Sequence, residues 1–159
     1  LEELLMRVFV VLIGFMFLAG SAVADGIKTY KVKGDFDSVA FDVESTIVDK
    51  GLVIDTKGDV GRMLQRTGQD VSSDAKEIYV GAKYFAFCSA VLSRKMMEAD
   101  PGTMGLCPYV VFVYETKANP GVVVVGFRKL EDVGSDEAED ALEEIDEWLD
   151  GIVRSAIGK

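Results

Sequence analysis

Histidine does not occur anywhere in this chain of 159 residues. Its absence excludes Ser-His-Asp and Cys-His nucleophilic centres, imidazole metal ligands, and acid/base chemistry by a side chain that titrates near neutral pH. Basic residues are scarce too: 17 lysines and arginines stand against 27 aspartates and glutamates, for a formal charge of −10. No basic stripe with interleaved aromatics relieves that balance, so nucleic acid and anionic membrane surfaces are not expected partners. Cysteine occurs only as Cys88 and Cys107, without Cys-x-x-Cys spacing. Two thiolates with no histidine make a poor zinc site.

What is present begins with a targeting pattern. Met6-Arg7 supplies a positive charge, Val8 to Leu18 form an apolar run, and Ala22-Val23-Ala24 offers small residues before Asp25-Gly26. This is the order of a secretory signal, and the apolar run is about half of the ~20 residues a membrane-crossing helix needs. The expected cleavage lies between Ala24 and Asp25, with a retained anchor and an ordinary buried N-terminal helix as the alternatives. Leu1 to Leu5 carry two glutamates that suit the start of a signal badly, so translation is expected to begin at Met6. No cysteine follows the apolar run to accept a lipid. The expected protein is therefore periplasmic or secreted, is free of the membrane after cleavage, and spans residues 25–159 as a single α+β domain.

Apolar periodicity lays out that domain. Ile27 to Val32 reads as a strand; Phe36 to Lys50, with Asp35 as N-cap, reads as a helix closed by Gly51. Leu52 to Ile54 reads as a strand, and Val60 to Thr67 as a short helix or structured loop. Lys76 to Cys88, rich in aromatic and β-branched residues, predicts a long buried strand, and Val91 to Ala99 a short helix ended by Asp100-Pro101-Gly102. Tyr109 to Tyr114 and Val122 to Phe127 form a hairpin around Asn119-Pro120-Gly121. Ala138 to Ala156 repeats apolar residues at helical spacing. Its opposite face, with Glu137, Glu139, Asp140, Glu143, Glu144, Asp146, Glu147 and Asp150, reads as a solvated helix surface, because no calcium loop accompanies it.

The words Val43 to Ile54, Phe85-Ala86-Phe87-Cys88, Met97-Glu98-Ala99-Asp100-Pro101 and Leu106-Cys107-Pro108-Tyr109 resemble the domain-of-unknown-function family 302 (DUF302). The resemblance covers about residues 36 to 128. It implies an α+β fold with helices packed on one face of a mainly antiparallel sheet, in a TATA-binding-protein-like arrangement, ordered roughly β-α-β-β-α-β-β-α. Ser89-Ala90 stands where many relatives have Asn-Pro, and Cys107-Pro108 where they have the reverse order, so no site role for the cysteines is carried over.

Read from the residues themselves, Cys88 and Cys107 allow three readings. Export would favour a structural bridge closing about 19 residues and contributing about 3 kcal/mol. Two buried free thiols and a redox-active pair are the alternatives. Geometry permits the bridge if the long strand and the hairpin's first strand are antiparallel neighbours. Gly58-Asp59-Val60-Gly61 lacks the lysine of a phosphate loop. Tyr79, Tyr84, Phe85, Phe87, Tyr109 and Tyr114 read as core more readily than as a cleft lining, and Met63, Met96, Met97 and Met104 as gap-filling core rather than copper ligands.

No nucleophile with its base is visible, so catalysis is not expected, and no cofactor is implied. Two functions remain: a non-catalytic accessory or binding domain using a helix-sheet cleft or an exposed sheet edge, and a thiol-dependent redox protein using Cys88 and Cys107. The expected partner of the first is a small ligand or a periplasmic protein, with homo-oligomerisation left open.

Overall fold

The computed structural model describes residues 26–130 and 133–159. The signal segment and its junction at Ala24 and Asp25 lie outside the described residues. Among the described residues, five strands run β1 (Ile27–Lys33), β2 (Ile54–Asp59), β3 (Tyr79–Phe87), β4 (Tyr109–Thr116) and β5 (Val122–Arg128). Four helices of the described residues, α1 (Phe36–Asp49), α2 (Val60–Val71), α3 (Ala90–Ala99) and α4 (Glu139–Ala156), lie between and after them, with short 3-10 turns at Pro101–Leu106 and Asp136–Ala138. The strands form one antiparallel sheet in the order β1-β5-β4-β3-β2.

Alternation along the strands sends successive side chains to opposite faces. One face carries Phe85, Phe87, Tyr109, Val111, Val113, Val123, Val125 and Phe127, all buried. Phe36, Val43 and Ile47 of α1, Met96 of α3, and Leu142, Ile145, Leu149 and Ile152 of α4 close over it in one continuous core. Asp35 starts α1 by accepting from the Ser38 amide at 2.9 Å, and Gly51, at φ 77°, ends the segment where a side chain would be strained.

Three expectations need correction. The expected element order omits α2, which forms a full helix of 12 residues. The second strand is Ile54–Asp59 rather than Leu52 to Ile54. It is an edge strand of mostly polar residues, held by its backbone pairing with β3, so no apolar alternation marked it. The long strand begins at Tyr79, three residues later than expected.

The acidic face of α4 is not uniformly solvated. Asp146 is buried, and both of its carboxylate oxygens accept from the Leu130 amide at 2.9 Å, tying α4 to the chain just beyond β5. Asp150 accepts from the Tyr30 hydroxyl and pairs with Lys28 at 3.0 Å, joining α4 to β1. Burial pushes the Asp150 carboxyl up, but the Tyr30 and Lys28 hydrogen bonds outweigh it and leave it below the ordinary range. Glu144 pairs with Lys95 of α3.

Candidate functional site

The disulfide site comes first because the sequence singled it out. Phe87 and Tyr109 are register partners on β3 and β4, and Cys88 and Cys107 lie just beyond them at the same end of the sheet. They are bonded, with Cα atoms 6.3 Å apart and a sequence separation of 19. The Ser93 hydroxyl lies 3.7 Å from the Cys107 sulfur and 2.8 Å from the Tyr109 hydroxyl. Burial pushes the Tyr109 phenol above its ordinary range, and its bond to Ser93 offsets only part of this. Arg94 and Lys95 of the adjoining helix are engaged with Glu98 and Glu144. The bridge thus sits against packed aromatic rings, since Tyr109, Phe87 and Trp148 meet edge to face.

The second site is a cleft that no sequence pattern marked. Helix α2 begins where β2 ends, with Asp59 capping it by accepting from the Arg62 amide at 2.8 Å. It then runs beside the first half of β3 and buries none of its residues. Gly61 and Gly68, seven residues apart and so on one helix face, both sit close to neighbouring chain. A Cβ on Gly61 would come within 2.9 Å of the Ala82 amide nitrogen, and one on Gly68 within 3.2 Å of Ala75. Gly61 lets the helix come close to β3, Gly68 lets it come close to Ala75 in the segment before that strand, and a cleft of about 400 Å³ lies beside them.

Phe36, Leu64, Ile78 and Tyr79 add apolar surface to a lining that is otherwise mostly polar. Four cations border it. Lys83 pairs with Asp37 at 2.9 Å and lies over the Phe36 ring; Lys117 pairs with Glu77 at 3.1 Å, which holds the Glu77 carboxyl below its ordinary range. Arg62 and Lys76 make no ion pair among the described residues. Against Asp37, Asp59 and Glu77, which also line the cleft, the four cations leave a surplus of one positive charge there, on a chain of net charge −10.

The six aromatics weighed as core or cleft lining divide between the two sheet faces. Phe85, Phe87 and Tyr109 are core; Tyr84 and Tyr114 stand on the opposite face, and Tyr79 adjoins both that face and the cleft. Of the methionines, Met96 is fully buried and Met97 packs on the core, while Met63 and Met104 are exposed. Among the described residues no group of three or more carboxylates or cysteines is placed to hold a metal ion, and no helix is long and apolar enough to cross a membrane.

Comparison with known proteins gives a consistent picture. Residues 28–156 match the family described as "Domain of unknown function DUF302". The crystal structure of an uncharacterized conserved protein DUF302 from Bacillus stearothermophilus superposes with a TM-score of 0.68, at 13% sequence identity, covering 84% of this chain and 99% of that one. At that identity the likeness shows the fold. No curated protein matches the chain.

Proposed function

This chain belongs to the DUF302 family, and from that premise we propose that it is an exported, non-catalytic binding module that takes a small anionic ligand in the cleft between α2 and β3. The observation that carries the reading is a cleft with some apolar lining, at Phe36 and Tyr79, beside the cations Arg62 and Lys76, which make no ion pair among the described residues, next to a helix that buries none of its residues. A helix without buried residues adds little to folding, and ligand-binding segments are drawn from such weakly held parts of a fold. Small-molecule sites combine an apolar lining with a few polar groups that orient the ligand, and here those groups are cationic.

Calorimetric titration with phenyl phosphate, a dianion carrying one apolar ring, tests this. Saturable binding is expected, weakened about tenfold or more in Arg62→Ala, the scale on which loss of one charge-assisted hydrogen bond acts. Failure of phenyl phosphate and of citrate to bind, or binding indifferent to Arg62→Ala and Lys76→Ala, would overturn the proposal.

The export half of the reading rests on the Met6 to Ala24 pattern and agrees with a bonded cysteine pair, which persists in oxidising compartments. N-terminal sequencing of the exported protein is expected to begin at Asp25. An intact leader recovered in the membrane fraction would contradict it.

In the same account the Cys88–Cys107 bond is a structural fastener. A redox role would call for a thiol activated by a nearby cation or base. The two cations of the adjoining helix are already paired, and the neighbouring phenol is held neutral by burial.

A further inference from the structure

Helix α2 is attached at its ends and by little else. It buries none of its residues, and among the described residues one side-chain hydrogen bond, Gln65 Nε2 donating to Glu77 Oε1 at 3.3 Å, reaches from its body to another segment. At one end it continues from β2, an edge strand. At the other, residues 72–78 form neither helix nor strand. Segments held this weakly open at small free-energy cost. The helix lies against the β3 backbone at Gly61, where a Cβ would come within 2.9 Å of the Ala82 amide nitrogen. No side chain stands between helix and strand there, so α2 is free to roll about that point.

The two walls of the cleft leave apolar surface in water. Leu64, on the same side of α2 as Gly61 and Gly68, is 39% exposed, and Ile78, just before β3, is 55% exposed; both line the cleft. Inward movement of α2 would cover this surface, which favours closing. Charge opposes it. Arg62 travels with the helix, Lys76 belongs to the segment before β3, and neither makes an ion pair among the described residues. Bringing the two cations together costs free energy unless an anion lies between them. A ligand shifts a two-state equilibrium only by binding one state more tightly, and an anion that meets both cations in the closed state and one in the open state fulfils that condition.

We propose that α2 is a lid, closed over the cleft by an anion that bridges Arg62 and Lys76, with Gly61 as its pivot and Leu64 coming to rest on Ile78. This closure presupposes the anion site proposed above and adds a conformational step to it. Lids of this kind shut water out around a bound ligand and set how fast it leaves.

Inorganic phosphate, followed by amide-shift titration, tests the lid apart from any apolar group on the ligand. Phosphate has none, so Leu64 and Ile78 act on its affinity only through the protein. Leu64→Ala and Ile78→Ala are each expected to leave the denaturation midpoint of the free protein nearly unchanged, because both side chains are partly exposed there. Each should weaken phosphate about fivefold, the scale of burying part of one aliphatic side chain, and the double variant should lose little more, because both changes remove one shared contact. Gly61→Ala, whose methyl would hold α2 off the Ala82 backbone, should weaken phosphate and phenyl phosphate alike, by about tenfold, with the amide spectrum of α1 and α4 unchanged. Hydrogen exchange gives a second readout. Amides of α2 should exchange faster than those of α1 and α4 in the free protein and slow by about tenfold or more when phosphate saturates the site. Val91→Ala, exposed on α3, should change none of these quantities. Phosphate affinity indifferent to all three variants, or α2 amides no slower in the bound protein, would overturn the lid and leave the anion site standing. Binding of phenyl phosphate without binding of phosphate would also overturn the lid alone, since bridged charge is what closes it. Failure of both anions to bind would remove the site and the lid with it.

Discussion

Replacing Leu149 with alanine is expected to destabilise the protein by about 3 to 4 kcal/mol, within the range for emptying a fully buried leucine site. Leu149 has no exposed surface and stands at the centre of the α4 stripe, between Ile145 and Ile152, which are equally buried. Removing the charges of Glu143 and Glu147, one helical turn apart on the exposed side, should change stability by less than about 0.5 kcal/mol. Trp148 is half-buried against Phe87 and Tyr109, so Trp148→Ala should fall between these limits. Chemical denaturation of the three variants gives the ranking. If Leu149→Ala and the paired glutamine variant had equal, small effects, α4 would not be docked on the sheet as described.

Cys88→Ala is expected to lower stability by about 3 kcal/mol, since it opens a covalent loop that otherwise restricts the unfolded chain. The pairing of β3 with β4, from Tyr79↔Thr116 to Phe87↔Tyr109, is made by backbone and side chains without the bond, so the fold should survive. Reductant should lower the denaturation midpoint of the wild type by a similar amount and leave the variant unmoved. A wild type indifferent to reductant would mean that the bond contributes nothing to stability. A variant that loses stability when reductant is added would place the effect outside this pair.

The core was legible in the sequence because its helices and central strands obey simple periods. Val111, Val113, Val123 and Val125 alternate, and Leu142, Ile145, Leu149 and Ile152 recur at helical spacing, so the hairpin and α4 were placed to within a few residues. The binding cleft was not legible, for two physical reasons. Helix α2 has two glycines, no buried residue, and exposed apolar ones in Met63, Leu64 and Val71, so neither propensity nor pattern distinguished it from a loop. Its partners come from distant segments: Lys117 follows β4, Phe36 opens α1, and Lys76 precedes β3.

Alternation alone could have divided the aromatics. Tyr84 and Phe85 are adjacent and must face opposite ways, but which face lay open depended on where α1, α3 and α4 packed. Asp146 was misread for a related reason. It falls at the border of the apolar stripe, where helical spacing cannot tell a solvated carboxylate from one that accepts a buried amide.

The central claim is that the α2 cleft is the ligand site, and titrating ¹⁵N-labelled protein with phenyl phosphate tests it most directly. The account expects amide shifts that saturate together and cluster at Arg62, Gly68, Lys76, Tyr79 and Lys83, all on the cleft's lining. Shifts centred instead on Cys88, Ser93 and Cys107, or no saturable shifts at all, would contradict it.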